Sequence, residues 1–459
     1  MNTDPDVIII GGGAGGLTAA TQAARTGASV TLITDGPLGG DCTHTGCVPS
    51  KTLIAAAARG DSFTTAMETV HAAVERIAES EDEDHLARAG VTVVRGRARL
   101  AGGGKVVVDG TTFTSRRIIV STGAHASLPP VPGLAELAPM TNETVFSLTE
   151  LPESLLVVGG GPIGCELSQA FARLGSAVTI VDMASRVLPN DDPEASAVVA
   201  AALARDGVQM HLGAGLERAE AVGGRHRLHL AGGVSIEGAA LLVAAGRQAV
   251  TEGLGVEDVG LELDRAGRIV VDETSETSVA GIWAVGDVTQ FGGFTHVASH
   301  MAYVAARNAT RSSRLALKAK INTRVVPRVT FTDPEVAQVG MTEHEAAEHG
   351  GRVAYLPLDR VDRAITAGRT HGFVKLISGA RKVIGSVGGG QILGATIVAP
   401  GAGELIHEAV LAMQTRMFTG RLAQTTHAYP TWSMAIQQAA TQFYFATDGL
   451  EARPAQRSG

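Results

Sequence analysis

The sequence predicts an α/β fold that contains two copies of one strand–helix–strand unit. The stretch DVIIIGGGAGGLTAATQAARTGASVTLIT, residues 6–34, runs from an apolar strand through glycines into an alanine-rich helix and on to a second apolar strand. SLLVVGGGPIGCELSQAFARLGSAVTIVD, residues 154–182, repeats this arrangement. The length of 459 residues exceeds what a single hydrophobic core fills, so several domains are expected.

The glycines of both units have the spacing of a dinucleotide-binding loop. The first glycine allows a tight turn, the second lets the backbone approach a pyrophosphate, and the third permits close packing of the helix. The residues in these positions are Gly11, Gly13 and Gly16 in the first unit and Gly159, Gly161 and Gly164 in the second. Two bound dinucleotides are predicted; the alternative is that one copy is a strand–helix turn without a ligand.

The end of the second strand in each unit is where a carboxylate would bind a ribose hydroxyl. In the second unit this residue is Asp182, which favours NADH over NADPH because a carboxylate repels the 2′-phosphate. Arg186 lies four residues later, and its guanidinium is able to bind that phosphate, which favours NADPH. In the first unit the position holds Thr34, followed by Asp35.

Three later segments are expected to complete the two nucleotide domains. RRIIVSTGA (116–124) and ALLVAAGR (240–247) suit returning strands at the closing edges of the two sheets. GIWAVGDVT (281–289) places Asp287 just after an apolar strand and a glycine. This carboxylate is suited to accept hydrogen bonds from a sugar alcohol; the alternative is a helix N-cap.

Composition excludes several classes of function. The net charge of −8 argues against nucleic acid as a partner, because phosphate neutralisation needs clustered Lys and Arg. Apolar stretches are of strand length, and the N-terminus lacks a signal-peptide pattern, so no membrane partner and a cytoplasmic location are expected. The acidic run at residues 79–84 is expected to be a solvated helix end without a function.

The motif GGDCTHTGCVPSK contains two of the three cysteines, Cys42 and Cys47. A helical segment would place them about one and a half turns apart, within reach of a disulfide after some backbone adjustment. So short a loop gains little stability from a crosslink, which favours a redox role over a structural one. The alternatives are inert thiols or a zinc site with His44, for which the sequence shows no complete ligand set.

These motifs, in this order, resemble the pyridine nucleotide-disulfide oxidoreductases (class I), a family that includes dihydrolipoamide dehydrogenase and mercuric reductase. The resemblance covers essentially the whole chain and rests on GGGAGG, GGDCTHTGCVPSK, STGA, GGGPIGCE, AAGR, AVGDVT, FTDPEVAQVGMTE and HAYPTWS. It implies two Rossmann-like dinucleotide-binding domains plus a C-terminal α+β dimerisation domain. The implied divisions are an FAD-binding domain at 1–150 and 272–324, an NAD(P)-binding domain at 151–271, an interface domain at 325–450 and a disordered tail at 451–459.

The resemblance also implies roles for particular residues. Cys47 would contact the flavin, Cys42 would exchange with the substrate, and Lys51 and Glu166 would form an ion pair near the flavin N5. Further cofactor contacts are implied for Gly40, Asp41, Thr122, Gly123 and Asp287 toward FAD and for Gly246 toward NAD(P). A homodimer is implied, with each active site completed by HAYPTWS of the partner.

The sequence departs from the family pattern at its C-terminal end. Disulfide reductases of the family end in a segment resembling HxHPTxSE, but here Tyr429 and Met434 replace the second histidine and the glutamate. An unperturbed phenol is a much weaker acid than imidazole, so turnover of a disulfide substrate is expected to suffer. His427 is a substitute acid–base group, and Tyr429 is alternatively a packing residue of the dimer interface. No cysteine follows Cys165, which argues against a mercuric reductase.

The sequence therefore predicts an FAD-dependent NAD(P)H oxidoreductase that passes electrons through the two cysteines to a disulfide or other small acceptor. One alternative is an NAD(P)H dehydrogenase that reduces quinones or metal ions directly from the flavin. The other is a redox-sensing binding protein. No resident metal site is predicted, since His296 and His300, although spaced i, i+4, are expected on a helix beneath the flavin.

Overall fold

A computed structural model describes residues 3–313, 317–381, 385–447 and 449–457. The chain divides into two compact units. The first comprises residues 1–129, 140–150 and 245–323, and the second comprises residues 130–139, 151–244 and 324–459.

The helices are numbered in chain order. They are α1 (Ala14–Ala24), α2 (Gly40–His44), α3 (Cys47–Arg59), α4 (Phe63–Ala78), α5 (Glu83–Arg88), α6 (Pro162–Leu174), α7 (Pro193–Arg205), α8 (Thr295–Ala309), α9 (Glu343–Glu348), α10 (Asp362–Thr366), α11 (Ala402–Gln414), α12 (Thr419–Gln424) and α13 (Met434–Thr441).

The strands are numbered in the same way. They are β1 (Val7–Ile10), β2 (Val30–Thr34), β3 (Val91–Arg95), β4 (Ala98–Leu100), β5 (Lys105–Val108), β6 (Thr111–Thr114), β7 (Ile118–Val120), β8 (Ala124–Ala126), β9 (Ser154–Val158), β10 (Ala177–Asp182), β11 (Gln209–Leu212), β12 (Leu216–Val222), β13 (Arg225–Leu230), β14 (Ser235–Gly238), β15 (Ala240–Val243), β16 (Arg247–Ala249), β17 (Ile282–Ala284), β18 (Pro327–Thr330), β19 (Glu335–Gly340), β20 (Arg352–Pro357), β21 (Phe373–Gly379), β22 (Gln391–Ala399) and β23 (Arg453–Pro454).

The first unit is built on a parallel sheet of strand order β17-β7-β1-β2-β3. The four residues of β1 are fully apolar and buried, as expected of a central parallel strand with both faces covered. Helices α1 and α8 pack together beside this sheet. The segment RRIIVSTGA was predicted at the closing edge, but β7 lies inside the sheet because β17 pairs with its outer side.

The second unit contains a parallel sheet of order β11-β10-β9-β15. Here β15 lies at an edge, as the sequence predicts for ALLVAAGR. The same unit holds an antiparallel sheet of order β18-β19-β22-β21-β20-β23, whose apolar core includes residues of α11 and α13. The mixed α/β fold with two nucleotide-type sheets and a C-terminal α+β part is confirmed.

The C-terminal segment was expected to be disordered. Instead, Arg453 and Pro454 form β23, which pairs antiparallel with β20. The Arg453 guanidinium also forms an ion pair with the buried Glu343 at the start of α9. These contacts anchor the segment to the six-stranded sheet. No helix in the described ranges has the length and apolarity needed to span a bilayer.

Candidate active site

The two cysteines lie at a junction between two helices. Cys42 is in α2, and Cys47 is the first residue of α3. A Cβ on Gly46 would lie 2.8 Å from the carbonyl oxygen of Asp41 and 3.3 Å from the Cα of Cys42. Glycine at this position therefore lets α3 begin directly against α2. The predicted helical spacing between the cysteines is wrong because the helix is interrupted at residues 45–46.

The surroundings of the two thiols are electrostatically different. A hydrogen bond with Cys47 and burial raise the pKa of Cys42; a hydrogen bond with the Thr295 hydroxyl opposes them, and the charges of Cys47 and Glu81 add smaller increases. Cys47 occupies the N-terminus of a 13-residue helix, where the helix dipole favours a thiolate. The Thr295 hydroxyl lies 3.5 Å from its sulfur. The raised pKa of Cys42 and the helix N-terminus at Cys47 both favour a thiolate on Cys47 over one on Cys42.

A charged network adjoins the segment from Gly39 to Cys47, here called the cysteine turn. The Asp41 carboxylate accepts hydrogen bonds from Arg247 at 2.6 Å and from Asn142 at 3.2 Å. The same guanidinium donates to the carbonyl of Ala124 at 2.7 Å and lies 3.6 Å from the carboxylate of Asp287. The predicted residues Asp41 and Asp287 are thus joined through Arg247. Sequence reasoning missed this arginine as a site residue, although its motif AAGR was visible.

The geometry of the first glycine loop fits a dinucleotide such as FAD. Gly11 has a φ of +107°, and a Cβ there would overlap the carbonyl oxygen of Ser121. A Cβ at Gly16 would overlap the carbonyl oxygen of Gly11, so strand and helix touch at this point. At Gly13 the nearest heavy atom to such a Cβ is 4.0 Å away, and α1 begins there without a side-chain cap or an acidic residue in its first turn. This loop suits a pyrophosphate at the helix N-terminus.

Other residues predicted for FAD belong to the same unit. Thr34 ends β2 and is buried, with its hydroxyl donating to the Gly36 carbonyl at 3.2 Å, and Asp35 beside it is exposed. Thr122 donates to the carbonyl of Val250 at 2.7 Å, and Gly123 has a φ of +73°. Asp287 accepts from the backbone N–H of Gly293 at 2.7 Å and does not cap a helix.

The second glycine loop has the same construction. A Cβ at Gly164 would overlap the Gly159 carbonyl, whereas one at Gly161 would meet no heavy atom within 4 Å. Asp182 ends β10, and its carboxylate accepts from the backbone N–H of Gly160 at 2.5 Å and of Ala184 at 2.7 Å. These bonds hold the carboxylate at the loop, where a ribose is expected. The loop therefore fits a dinucleotide.

The residues predicted to act near the flavin N5 lie in different units. Lys51 is in α3 of the first unit. Glu166 is in α6 of the second, is 3% exposed and accepts a hydrogen bond from the backbone N–H of Phe331 at 2.8 Å. Gly246, predicted to contact NAD(P), follows β15 with a φ of +157° and belongs to the first unit. Their cofactor roles stay predictions.

The HAYPTWS segment carries two candidate acid–base groups. The Tyr429 hydroxyl donates to the Asp362 carboxylate at 2.9 Å, and this hydrogen bond raises the pKa of the phenol. The His427 side chain is 6% exposed; its Nδ1 lies 2.8 Å from the Thr425 carbonyl and its Nε2 lies 3.0 Å from the Glu408 carboxylate. Both ring nitrogens of His427 therefore have oxygen partners within the protein. Glu408 lies on α11, and sequence reasoning missed its pairing with His427.

The other histidines considered as ligands have different partners. His296 stacks on Phe294 with ring centroids 5.4 Å apart, and His300 Nε2 accepts from the backbone N–H of Asn322 at 3.4 Å. His44 Nε2 lies 2.8 Å from the Leu38 carbonyl. In the part of the chain that the structure describes, no three His, Cys, Asp or Glu side chains lie together as a metal site.

Comparison with known proteins identifies the family. Residues 5–309 match the model described as pyridine nucleotide-disulphide oxidoreductase, and residues 326–440 match its dimerisation domain. A mercuric reductase of Bacillus cereus is 35% identical over 96% of this chain and 72% of that protein. A dihydrolipoyl dehydrogenase of Chlamydia muridarum is 32% identical over 94% of this chain and 95% of that protein.

A solved structure has the same fold along nearly its whole length. The Cu(II) complex of the HOCl-induced flavoprotein disulfide reductase RclA from Escherichia coli superposes with a TM-score of 0.87. It is 28% identical and covers 96% of this chain and 99% of that one. The chain therefore belongs to the pyridine nucleotide-disulphide oxidoreductase family, whose members are flavin-dependent oxidoreductases that bind FAD and a pyridine nucleotide.

Proposed function

We propose that this protein is an NAD(P)H oxidoreductase whose Cys42–Cys47 dithiol passes electrons to a thiophilic metal ion such as Cu(II) or Hg(II). Two observations together carry the proposal. The thiols of Cys42 in α2 and Cys47 at the start of α3 are in contact, and the C-terminal segment has Tyr429 and Met434 in place of the histidine and glutamate of disulfide reductases. The sequence predicts a disulfide or another small molecule as the acceptor, and this proposal names one class of small acceptor, the thiophilic metal ions.

Residues of the first unit determine which of the two cysteines keeps a proton when the pair is reduced. FAD, when bound, supplies transfer of two electrons from reduced nicotinamide to a Cys42–Cys47 disulfide. Cleavage of that disulfide leaves the thiolate on Cys47, where the N-terminus of α3 and the Thr295 hydroxyl stabilise it. Cys42 retains a proton because its pKa is raised.

A disulfide acceptor fits this site poorly. Exchange requires Cys42 to attack as a thiolate and the departing sulfur to receive a proton. The raised pKa of Cys42 lowers the fraction of this cysteine that is a thiolate at neutral pH. Tyr429 is a poor proton donor because its bond to Asp362 raises an already high phenol pKa. Both ring nitrogens of His427 are engaged within the protein, by the Thr425 carbonyl and the Glu408 carboxylate.

A thiophilic metal ion avoids both difficulties. Coordination of the metal displaces the thiol proton, so no separate base is needed and no thiol has to leave protonated. For copper the balance is one reduced pair, with Cys47 as thiolate and Cys42 as thiol, plus two Cu(II) giving one disulfide, two Cu(I) and one proton. Relatives support this choice, since one is named mercuric reductase and a solved structure is a Cu(II) complex of a disulfide reductase.

The exclusion of mercuric reduction that was drawn from the sequence is unsupported. Its basis was that no cysteine follows Cys165. Proteins named mercuric reductase are nevertheless among the curated relatives, and one matches 96% of this chain. Hg(II) therefore belongs in the set of acceptors to be tested.

The proposed electron donor is NADH. The Asp182 carboxylate is fixed at the second glycine loop by two backbone N–H groups. Arg186 is folded onto its own loop, where Nη2 donates to the carbonyl oxygens of Pro189 at 2.7 Å and Asp191 at 3.1 Å. Its guanidinium would have to break these bonds to meet a 2′-phosphate.

The proposed assembly is a homodimer, which the match to the dimerisation domain supports. We further propose that HAYPTWS of one protomer completes the active site of its partner. The three-domain division predicted from the sequence and the Lys51–Glu166 ion pair near the flavin are retained as parts of this proposal.

The test is a steady-state comparison of acceptors. NADH oxidation would be followed for the wild type and for Cys42→Ser with Cu(II), Hg(II), one small disulfide and one quinone. The proposal expects metal-dependent turnover that exceeds disulfide turnover and is lost in Cys42→Ser. Substantial quinone turnover that survives the substitution would instead support the alternative in which electrons leave directly from the flavin. A rate no better than that of free flavin with every acceptor would support a redox sensor.

A further inference from the structure

One acidic residue that the sequence left without a function contacts the cysteine turn. Within the run at residues 79–84, Glu81 is half-buried, whereas its neighbours are exposed. Its carboxylate accepts a hydrogen bond from the Thr43 hydroxyl at 2.8 Å, across 38 positions of sequence. Thr43 is the residue after Cys42 and is 3% exposed. The expected description of the whole run as a solvated helix end is therefore wrong for Glu81.

The same carboxylate lies against the start of the turn. A Cβ built on Gly39 would overlap the Glu81 Oε2, so the carboxylate packs directly on this glycine. Gly39 also has a φ of +91°, which favours glycine independently. Glu81 thus touches the turn on both sides of Cys42, at Gly39 and at Thr43.

The rest of the acidic run has separate local partners. Asp82 caps α5 by accepting from the backbone N–H of His85 at 2.7 Å. Glu83 pairs with Arg95 at 2.7 Å on the surface. Glu79 is exposed and lies in the same short helical turn as Glu81. Contact with the cysteine turn therefore distinguishes Glu81 from acidic neighbours of the same charge.

The charge of Glu81 is not neutralised in the described part of the chain by any ion pair. The other carboxylate next to the turn, Asp41, is paired with Arg247 at 2.6 Å. The titratable groups on the helices around Cys42 are His44 on α2, Lys51 and Arg59 on α3, Glu68, His71, Glu75 and Arg76 on α4, and His296, His300, Tyr303 and Arg307 on α8. His44 is bound to a backbone carbonyl. The Glu81 carboxylate therefore adds negative potential on the Cys42 side of the pair.

We propose that Glu81 is a positioning residue of the dithiol. It holds the turn through Thr43 and Gly39, and it places a negative charge beside Cys42, so that the thiolate of the reduced pair is on Cys47. The inference rests on the dithiol role proposed above and adds a group that contributes to the difference between the two cysteines. A raised pKa of Cys42, to which Glu81 contributes, agrees with it.

The experiment measures the thiols of the reduced FAD-bound protein and uses no electron acceptor. The rate of Cys42 alkylation by iodoacetamide, resolved by peptide mass spectrometry, would be recorded from pH 6 to 10. The dithiol-to-disulfide ratio would be measured in a fixed dithiothreitol redox buffer. The variants are Glu81→Gln, Glu81→Asp, Thr43→Val and Glu79→Gln, the last being the matched control with the same loss of charge.

Glu81→Gln is expected to move the alkylation profile to lower pH and to raise the rate near neutrality about three- to tenfold. The dithiol-to-disulfide ratio should rise by a similar factor, because removal of the negative charge favours the reduced pair. Glu81→Asp keeps the charge and should stay within about twofold of the wild type, and so should the exposed Glu79→Gln.

A profile for Glu81→Gln that superimposes on those of Glu79→Gln and the wild type would overturn the proposal. If Glu81→Gln does not fold, Thr43→Val decides: a smaller shift in the same direction supports the proposal, and an unchanged profile overturns it. Since both readouts are independent of the acceptor, a failure of the proposed metal reduction leaves this test intact.

Discussion

Replacement of Gly46 by alanine tests the geometry that brings the two cysteines together. The new Cβ would lie 2.8 Å from the Asp41 carbonyl oxygen and 3.3 Å from the Cα of Cys42. Ordinary contacts of this kind are about 3.4 Å or longer, so the start of α3 has to move by roughly 0.6 Å away from α2. The dithiol tolerates that movement, but a disulfide requires its Cβ atoms within about 4.5 Å. Gly46→Ala therefore destabilises the oxidised, disulfide form more than it destabilises the dithiol form.

Overpacking of this size costs about 1–3 kcal/mol. Expressed as a two-electron potential, this is a shift of about 20–65 mV toward easier reduction. The assay is equilibration with dithiothreitol redox buffers, followed by counting of free thiols. Gly36→Ala is the control, because a Cβ there meets nothing within 4 Å. A potential for Gly46→Ala within about 10 mV of the control would refute the role assigned to this glycine.

Four further outcomes follow from the structure. Lys375→Met, which removes a 1% exposed cation from the buried Asp192 and Glu343, should lower the free energy of unfolding by about 3–5 kcal/mol in urea titrations, whereas the exposed Lys320→Met should change it by less than about 0.5 kcal/mol. Burial raises the pKa of Glu343, but hydrogen bonds from Arg453 and Lys375 outweigh burial and lower it; the stability that this carboxylate contributes is therefore present above pH about 4.3 and is lost as pH falls further, which urea midpoints at pH 7 and pH 3 would show. Tyr429→His combined with Met434→Glu should raise turnover of a small disulfide about 10²-fold in steady-state assays by restoring an acid–base pair; an unchanged rate would contradict the explanation for weak disulfide turnover. The kcat/KM for NADH should exceed that for NADPH at least about tenfold, and Asp182→Ser should reduce this ratio; equal values for the wild type would contradict the role of Asp182.

The fold was largely predictable because its signals are local. Both strand–glycine–helix units and the apolar strand β15 follow from patterns within about 30 residues. The order inside the first sheet was not predictable, since β17 comes more than 150 positions after β7 and nothing local shows that it pairs there. That the C-terminal segment is structured was likewise not predictable, because it depends on the pairing between β23 and β20.

The site was predictable where its residues form a local sequence motif and not where it depends on tertiary contacts. Cys42 and Cys47 were found from their spacing, but the helix break between them depends on the contact of Gly46 with Asp41. Glu81 and Arg247 reach the cysteine turn from 38 and 206 positions away in the pairs that they form. Such partners have no local signal because the fold alone brings them together.

The central claim is that electrons leave through the dithiol, and a single-turnover measurement tests it most directly. The protein would be reduced anaerobically with one equivalent of NADH, which is expected to give long-wavelength thiolate-to-flavin absorbance, and then mixed with Cu(II) in a stopped-flow instrument. The account predicts that this absorbance disappears as two Cu(I) form per dithiol and that Cys42→Ser, reduced in the same way, forms Cu(I) at least about 10²-fold more slowly. Equal rates of Cu(I) formation in the two proteins would contradict the account and place the exit of electrons at the flavin.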